Sequence, residues 1–188
     1  MPGRTRFLTA ALILLLLTGA ASDTTSRYIV DAARTKVHFT YSLPLSKGRG
    51  YFSDVSGSAN IDDLALQRGS VEVTVGTRSL HADTKAAEQE LRGKNFFSVA
   101  AHPRIHFQSR RVRALGPARA AVTGDMSVRG ITRPIVLHVT LGARQASGAR
   151  RLRATTRIRR SDFDMTAYPL FVADWVEIKI DATLLPAP

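Results

Sequence analysis

Short runs in which apolar and polar residues alternate recur from Tyr28 onwards, and this pattern constrains the fold more than any other sequence feature. Residues 71–75, for example, place valine at every second position, with glutamate and threonine between. Because successive side chains of a β-strand point to opposite faces, each run predicts a strand with one apolar and one polar face.

Eight segments follow the strand pattern, and clusters of glycine, proline or serine separate most of them. They are residues 28–41, 51–61, 71–75, 105–109, 121–128, 135–141, 152–158 and 176–182. The glycines Gly50 and Gly57 punctuate the second segment, where we predict a hairpin. Turns near Gly116 and Pro117, at 130–134 and at 146–148 make antiparallel neighbours the simplest arrangement.

One segment between the third and fourth strands has helical character instead. Asp83 can cap a helix, residues 86–91 are mostly good helix formers, and Gly93 can end it. Ala87 and Leu91 lie four residues apart, so they would form a small apolar stripe facing the domain.

These elements predict an all-β fold, an antiparallel barrel of roughly eight strands with one short helix. Closure of a barrel removes the exposed strand edges of an open sheet. A barrel of about eight strands can fill its interior with its own side chains or hold one small ligand. The alternation is the same in both cases, so the sequence leaves that choice open.

The first 21 residues have the zones of a cleavable signal peptide. Arg4 and Arg6 precede an apolar run over 7–17, and small residues up to Ala21 follow it. The run is shorter than the about 20 residues that a membrane span needs. We therefore expect cleavage after residue 21, a single domain over 22–188, and a periplasmic or secreted location.

Cysteine is absent, which excludes disulfides, thiolate metal sites and cysteine catalysis. The histidines are scattered, and no HExxH, Gly-x-Ser-x-Gly or nucleotide-binding glycine pattern occurs. His102 and His106 are four apart but flank Pro103 in extended sequence, where that spacing does not bring side chains together. We therefore expect no metal site, no cofactor and no enzymatic activity.

The net charge of +12 makes anionic partners the main rival class. Six arginines cluster late in the chain: Arg150, Arg151, Arg153, Arg157, Arg159 and Arg160. No row of aromatic residues interleaves with them to stack bases, and an exported protein rarely meets nucleic acid, so we expect none to bind. A solvated strand face is one interpretation. Another is that Arg151, Arg153 and Arg157 dock on an anionic membrane.

Several stretches resemble one known family in the same order along the chain. The clearest is residues 124–137, with Gly124-Asp125, the turn Arg129-Gly130-Ile131-Thr132 and a strand led by Pro134. Gly50-Tyr51-Phe52 with Gly57, Asn95-Phe96-Phe97 with Pro103, and Arg160-Ser161-Asp162-Phe163 with Met165 complete the set. From residue 28 to about 182 the chain resembles the YceI family of small exported lipocalin-like barrels.

This resemblance implies non-catalytic binding, storage or transport of an isoprenoid lipid in the barrel lumen, outside the cytoplasm. The lipid would be of the quinone or polyprenyl phosphate type. Burial of a hydrocarbon tail stabilises a complex by about 25 cal/mol per Å², so few polar contacts are needed. Our candidates for the lumen or its mouth are Phe39, Tyr41, Phe52, Phe107, Met126, Phe163 and Met165.

The sequence also departs from the family pattern. Ala87, Glu88 and Glu90 stand where members often carry an Arg-Asp pair and a His before the residue that matches Leu91. The glycine usual after Ser-Asp-Phe is Asp164, so the local turn either differs or holds Asp164 at positive φ.

Other functions stay open at this point. The chain could be a secreted structural or stress-related barrel without ligand, or its basic surface could bind anionic polymers. Whether two barrels pair is also open.

Overall fold

A computed structural model describes residues 25–188, which form eleven strand segments and one α-helix. The predicted signal peptide, 1–21, lies outside the described residues. The strands are β1 (Thr25–Val30), β2 (Lys36–Ser42), β3 (Lys47–Phe52), β4 (Val55–Asp62), β5 (Ser70–Gly76), β6 (Leu80–Ala82), β7 (Arg104–Gly116), β8 (Arg119–Val128), β9 (Ile131–Leu141), β10 (Arg150–Arg159) and β11 (Trp175–Pro186), and the helix is α1 (Lys85–Arg92). Within 25–188, no helix is long and apolar enough to cross a membrane.

The eleven segments occupy eight positions of a closed antiparallel barrel. Three positions are each made of two segments in sequence: β1 with β2, β3 with β4, and β5 with β6. β4 pairs with β1 and β5, while β3 pairs with β2 and β6. The order then runs β5, β7, β8, β9, β10, β11, and β11 closes the ring by pairing with both β1 and β2. The predicted barrel class is confirmed.

The first predicted strand, 28–41, is divided by one turn of 3-10 helix at Ala32–Arg34. Asp31 stabilises that turn, since its Oδ1 accepts a hydrogen bond of 3.1 Å from the Ala33 N–H. The two halves pair with different stretches of β11, Val30 with Leu184 and Val37 with Ile180. The break therefore lets one long strand bend around the end of the barrel without losing its partner.

Helix α1 begins one residue later than Asp83 would predict. Thr84 is the cap, and its Oγ1 accepts a 3.1 Å hydrogen bond from the Ala87 N–H. Gly93 ends the helix as predicted, donating to the carbonyls of Gln89 and Glu90. Ala87 and Leu91 both face the barrel interior, so the predicted apolar stripe is confirmed.

Asp164 adopts the left-handed conformation, with φ 58° and ψ 31°, directly after the 3-10 turn Arg160–Phe163. Its carboxylate also accepts a 3.1 Å hydrogen bond from Arg129 Nη2. Of the two outcomes that the sequence allowed, the structure therefore shows the second, an aspartate held at positive φ.

We expect Asp164→Gly to change the free energy of unfolding by less than about 1 kcal/mol, because relief of the left-handed strain offsets the loss of an exposed ion pair. Asp164→Val should cost about 2 kcal/mol, since a β-branched residue at positive φ is strained. Urea unfolding of both variants checks this. Equal losses in the two would show that the ion pair, and not the backbone, decides the effect.

Candidate functional site: the barrel lumen

An internal cavity of about 290 Å³ runs along the barrel axis. Alternate residues of the strands form its wall, such as Val37 in β2, Leu137 in β9 and Ile178 in β11. The volume lies at the lower end of the roughly 300–1,000 Å³ of small-molecule sites. The lining is apolar along most of its length, which suits a hydrocarbon and offers a polar substrate few partners.

Six of the seven predicted site residues contribute to the cavity wall: Phe39, Tyr41, Phe52, Phe107, Met126 and Met165. The seventh, Phe163, is fully buried but lies behind the wall, below a surface cleft between β9 and β10. Strand pairing there stops at His138 and Thr155. Pro134, which has no N–H to donate, lies in β9 within this unpaired stretch, and the cleft opens beside it.

Aromatic side chains narrow the cavity next to α1. The rings of Phe39 and Phe52 have centroids 5.6 Å apart, and Phe97 lies 5.8 Å from the first and 5.2 Å from the second. A hydrogen bond of 2.9 Å from the Phe97 N–H to the Leu91 carbonyl fixes the segment that carries it. Phe96 and Phe97 were not among the predicted site residues, although the motif Asn95-Phe96-Phe97 was singled out.

Arg160 is a cation in the cavity wall, only 4% exposed. It donates to three carbonyls of the loop that follows: from Nη1 to Met165, from Nη2 to Val172 at 2.8 Å and from Nε to Ala173 at 3.2 Å. Burial lowers the pKa of the guanidinium, and the negative charge of Asp174 opposes that shift. An arginine stays protonated in proteins nonetheless, so the wall carries a positive charge here.

The prediction of a solvated basic cluster is therefore wrong for its first and last arginines. Arg150 and Arg160 are buried rather than solvated. Arg150 is salt-bridged to Asp63, and its Nε and Nη2 each donate at 3.1 Å to the Gly142 carbonyl. Both have the even numbering of the inward residues Leu152 and Ala154, so strand alternation contained the signal.

The other arginines of the cluster lie on the outer wall as predicted, and we call Arg151, Arg153 and Arg157 the basic face. Arg153 pairs with Asp181 at 3.2 Å. Arg157 and Arg159 each place Cζ 4.9 Å from the centroid of the Trp175 ring.

Polar groups gather where the cavity reaches the surface, beside half-exposed Tyr168. Glu90 Oε1 accepts hydrogen bonds of 3.1 Å from the Tyr168 hydroxyl and from Asn95 Nδ2. The hydrogen bond to Glu90 raises the pKa of Tyr168, and burial raises the pKa of Tyr41, helped by the charge of Asp83. Both phenols are therefore neutral donors at physiological pH.

The helix residues that depart from the family pattern lie at this end of the barrel. Ala87 and Glu90 line the cavity. Glu88 instead binds Arg92 at 3.0 Å and lies 3.7 Å from His81, so it joins the helix to β6.

Known proteins share both the sequence pattern and the fold of this barrel. The model of the YceI-like domain matches residues 28–184. A UPF0312 protein of Ectopseudomonas mendocina is 29% identical over 121 residues, 62% of this chain and 63% of that protein, so the chain spans less than two thirds of this relative.

Solved structures share the fold. BcnA of Burkholderia cenocepacia superposes with a TM-score of 0.76 at 24% identity, covering 82% of this chain and 98% of that one. A domain of Saccharophagus degradans, described as polyisoprenoid binding and implicated in plant cell wall breakdown, gives 0.62 at 14% identity, covering 85% and 98%. Since the family model spans nearly all of the barrel, the chain belongs to the YceI family.

Proposed function

We propose that the chain binds an isoprenoid lipid, of the quinone or polyprenyl phosphate type, in the barrel lumen and stores or transports it outside the cytoplasm without catalysis. One observation carries the proposal, the apolar cavity along the barrel axis. A tail held there leaves water over most of its length, at about 25 cal/mol for each Å² buried. The ligand class of the Saccharophagus domain supports the same assignment.

The polar end of the cavity suits the head of such a lipid. Arg160 and the neutral phenol of Tyr41 offer donors to a quinone carbonyl or a phosphate oxygen, whereas the Tyr168 hydroxyl already donates to Glu90. Among the described residues, 25–188, Glu90 is the acidic residue that lines the cavity, and its Oε1 already accepts two hydrogen bonds. The head would therefore lie beside Arg160 and the tail would extend toward Leu152 and Leu184.

The basic face supports a second part of the proposal, peripheral contact with an anionic membrane. Arg151, Arg153 and Arg157 project from the same side of β10, and each basic residue near an anionic surface contributes about 1 kcal/mol. Such attraction would bring the barrel to a membrane that holds its lipid.

Protein purified from its native cells without detergent should carry the lipid. Mass spectrometry of the organic extract should show a quinone or polyprenyl species in about equimolar amount. Added isoprenoid should raise the melting temperature of stripped protein, because a ligand of the native state stabilises it. Empty extracts together with an unchanged melting temperature would instead favour a structural barrel without ligand.

A further inference from the structure

We propose that the apolar tips of two loops at the mouth of the barrel insert into an anionic bilayer, so that lipid passes between membrane and lumen without crossing water. The tips are Leu45, in the turn between β2 and β3, and Leu170 with Phe171, in the loop between β10 and β11. The proposal rests on the proposed lipid binding and adds the surface and the orientation of docking.

The apolar side chains at the loop tips are largely exposed and do not pack into the core. Leu45 is 100% exposed, Leu170 86% and Phe171 64%. Single exposed apolar residues are ordinary, but these come from two loops that are joined. The Ala173 N–H donates a 3.0 Å hydrogen bond to the Ser42 carbonyl, which ties the second loop to the end of β2. The three side chains therefore share one end of the barrel.

Hydrogen bonds to its backbone carbonyls hold the loop between β10 and β11 in place. Arg160 binds the carbonyls of Met165, Val172 and Ala173, and the Val172 N–H donates to the Tyr168 carbonyl at 2.9 Å. The Tyr168 hydroxyl is fixed by Glu90. Leu170 and Phe171 are thus presented outward by an anchored loop, which lowers the entropy lost when they contact a partner.

The same loops line the cavity. Leu43 and Val172 both contribute to the cavity wall. Leu43 lies two residues before Leu45, and Val172 directly follows Phe171. Apolar surface therefore runs from the exposed tips to the lumen. A lipid tail that leaves a bilayer beside Phe171 meets apolar side chains as it enters.

The charges next to the mouth fit an anionic bilayer better than a protein partner. Trp175 is the first residue of β11, beside the loop, and its side chain is half-exposed. The guanidinium groups of Arg157 and Arg159 lie over its ring. Tryptophan is enriched at membrane interfaces, and basic residues are attracted to anionic head groups. The basic face leads along β10 to this corner, so it would orient the barrel with its mouth toward the membrane.

The double variant Leu170→Ser/Phe171→Ser tests the insertion. The matched control is Leu64→Ser/Leu115→Ser, in which Leu64 is 85% exposed and adjoins Asp63 at the opposite end of the barrel. Flotation with vesicles of phosphatidylcholine and phosphatidylglycerol should show at least about tenfold weaker binding for the mouth variant, because each inserted side chain contributes roughly tenfold. The control should bind as the unmodified protein does.

A second measurement separates this proposal from the proposed function. The shift of melting temperature with a short, water-soluble isoprenoid should be the same in the mouth variant and the unmodified protein. If neither protein shows a shift of melting temperature, lipid binding is overturned, and the vesicle experiment then tests membrane docking by itself.

Three vesicle results would overturn the docking proposal. These are binding by the mouth variant that equals that of the unmodified protein, an equal loss in both double variants, and no vesicle binding by the unmodified protein. Equally tight binding to pure phosphatidylcholine would overturn the part assigned to charge.

Discussion

Replacing Gly57 by alanine should lower the free energy of unfolding by at least about 3 kcal/mol, a loss of roughly 10 °C in melting temperature for a domain of this size. Gly57 lies in β4 at φ +154°, a conformation that side chains rarely adopt. A Cβ at this position would come within 2.2 Å of the Glu72 carbonyl oxygen in β5. That neighbour is backbone of the paired strand, so the sheet itself would have to move.

Gly116 supplies a control with nearly the same backbone. Its φ is +151°, but an added Cβ meets nothing closer than Arg119 Nε at 4.0 Å. Gly116→Ala should therefore cost only the conformational strain, about 1–2 kcal/mol. Chemical denaturation of both variants measures the difference. If the two lose equal stability, close approach of the strands at Gly57 is not what requires glycine.

The sequence predicted the barrel and most of its wall because alternation translates directly into faces. Once Leu152 and Ala154 are placed inward, every second residue of β10 must also face inward. Residues of β9 and β11 that pair with them face the same side of the sheet. The same rule placed Phe39, Phe107 and Met126 in the cavity wall. One strand of alternating residues is ambiguous, but eight of them leave few arrangements that bury every apolar face.

What the sequence did not predict lies where alternation ends. The loop between β10 and β11 has no period, yet Tyr168 and Val172 line the cavity because Arg160 holds that loop over the mouth. Arg160 was assigned to a solvated cluster by residue type, although its parity places it inward. A buried arginine is rare enough that charge outweighed parity in the prediction, and only the carbonyls of the loop explain how the charge is accommodated.

Filling the lumen should separate lipid binding from folding. Ala154 is 2% exposed, lines the cavity, and pairs with Val139 and Ile180 near the middle of the barrel. In Ala154→Phe the ring has the cavity to enter, so we expect the ligand-free barrel to remain folded. Thr155→Phe is the matched control, since Thr155 is the next residue and points to solvent.

A phenyl ring in the lumen would deny the lipid tail about 100 Å² of apolar contact, or ~2.5 kcal/mol, which weakens binding more than about 50-fold. Titration with an isoprenoid, followed by intrinsic fluorescence or melting temperature, should show this loss for Ala154→Phe and an unchanged affinity for Thr155→Phe. Because the two substitutions add the same side chain one residue apart, general destabilisation would affect both, whereas occlusion affects only the first. Undiminished affinity in Ala154→Phe would mean that the tail binds outside the lumen, and the surface cleft between β9 and β10 would then be the next place to look for it.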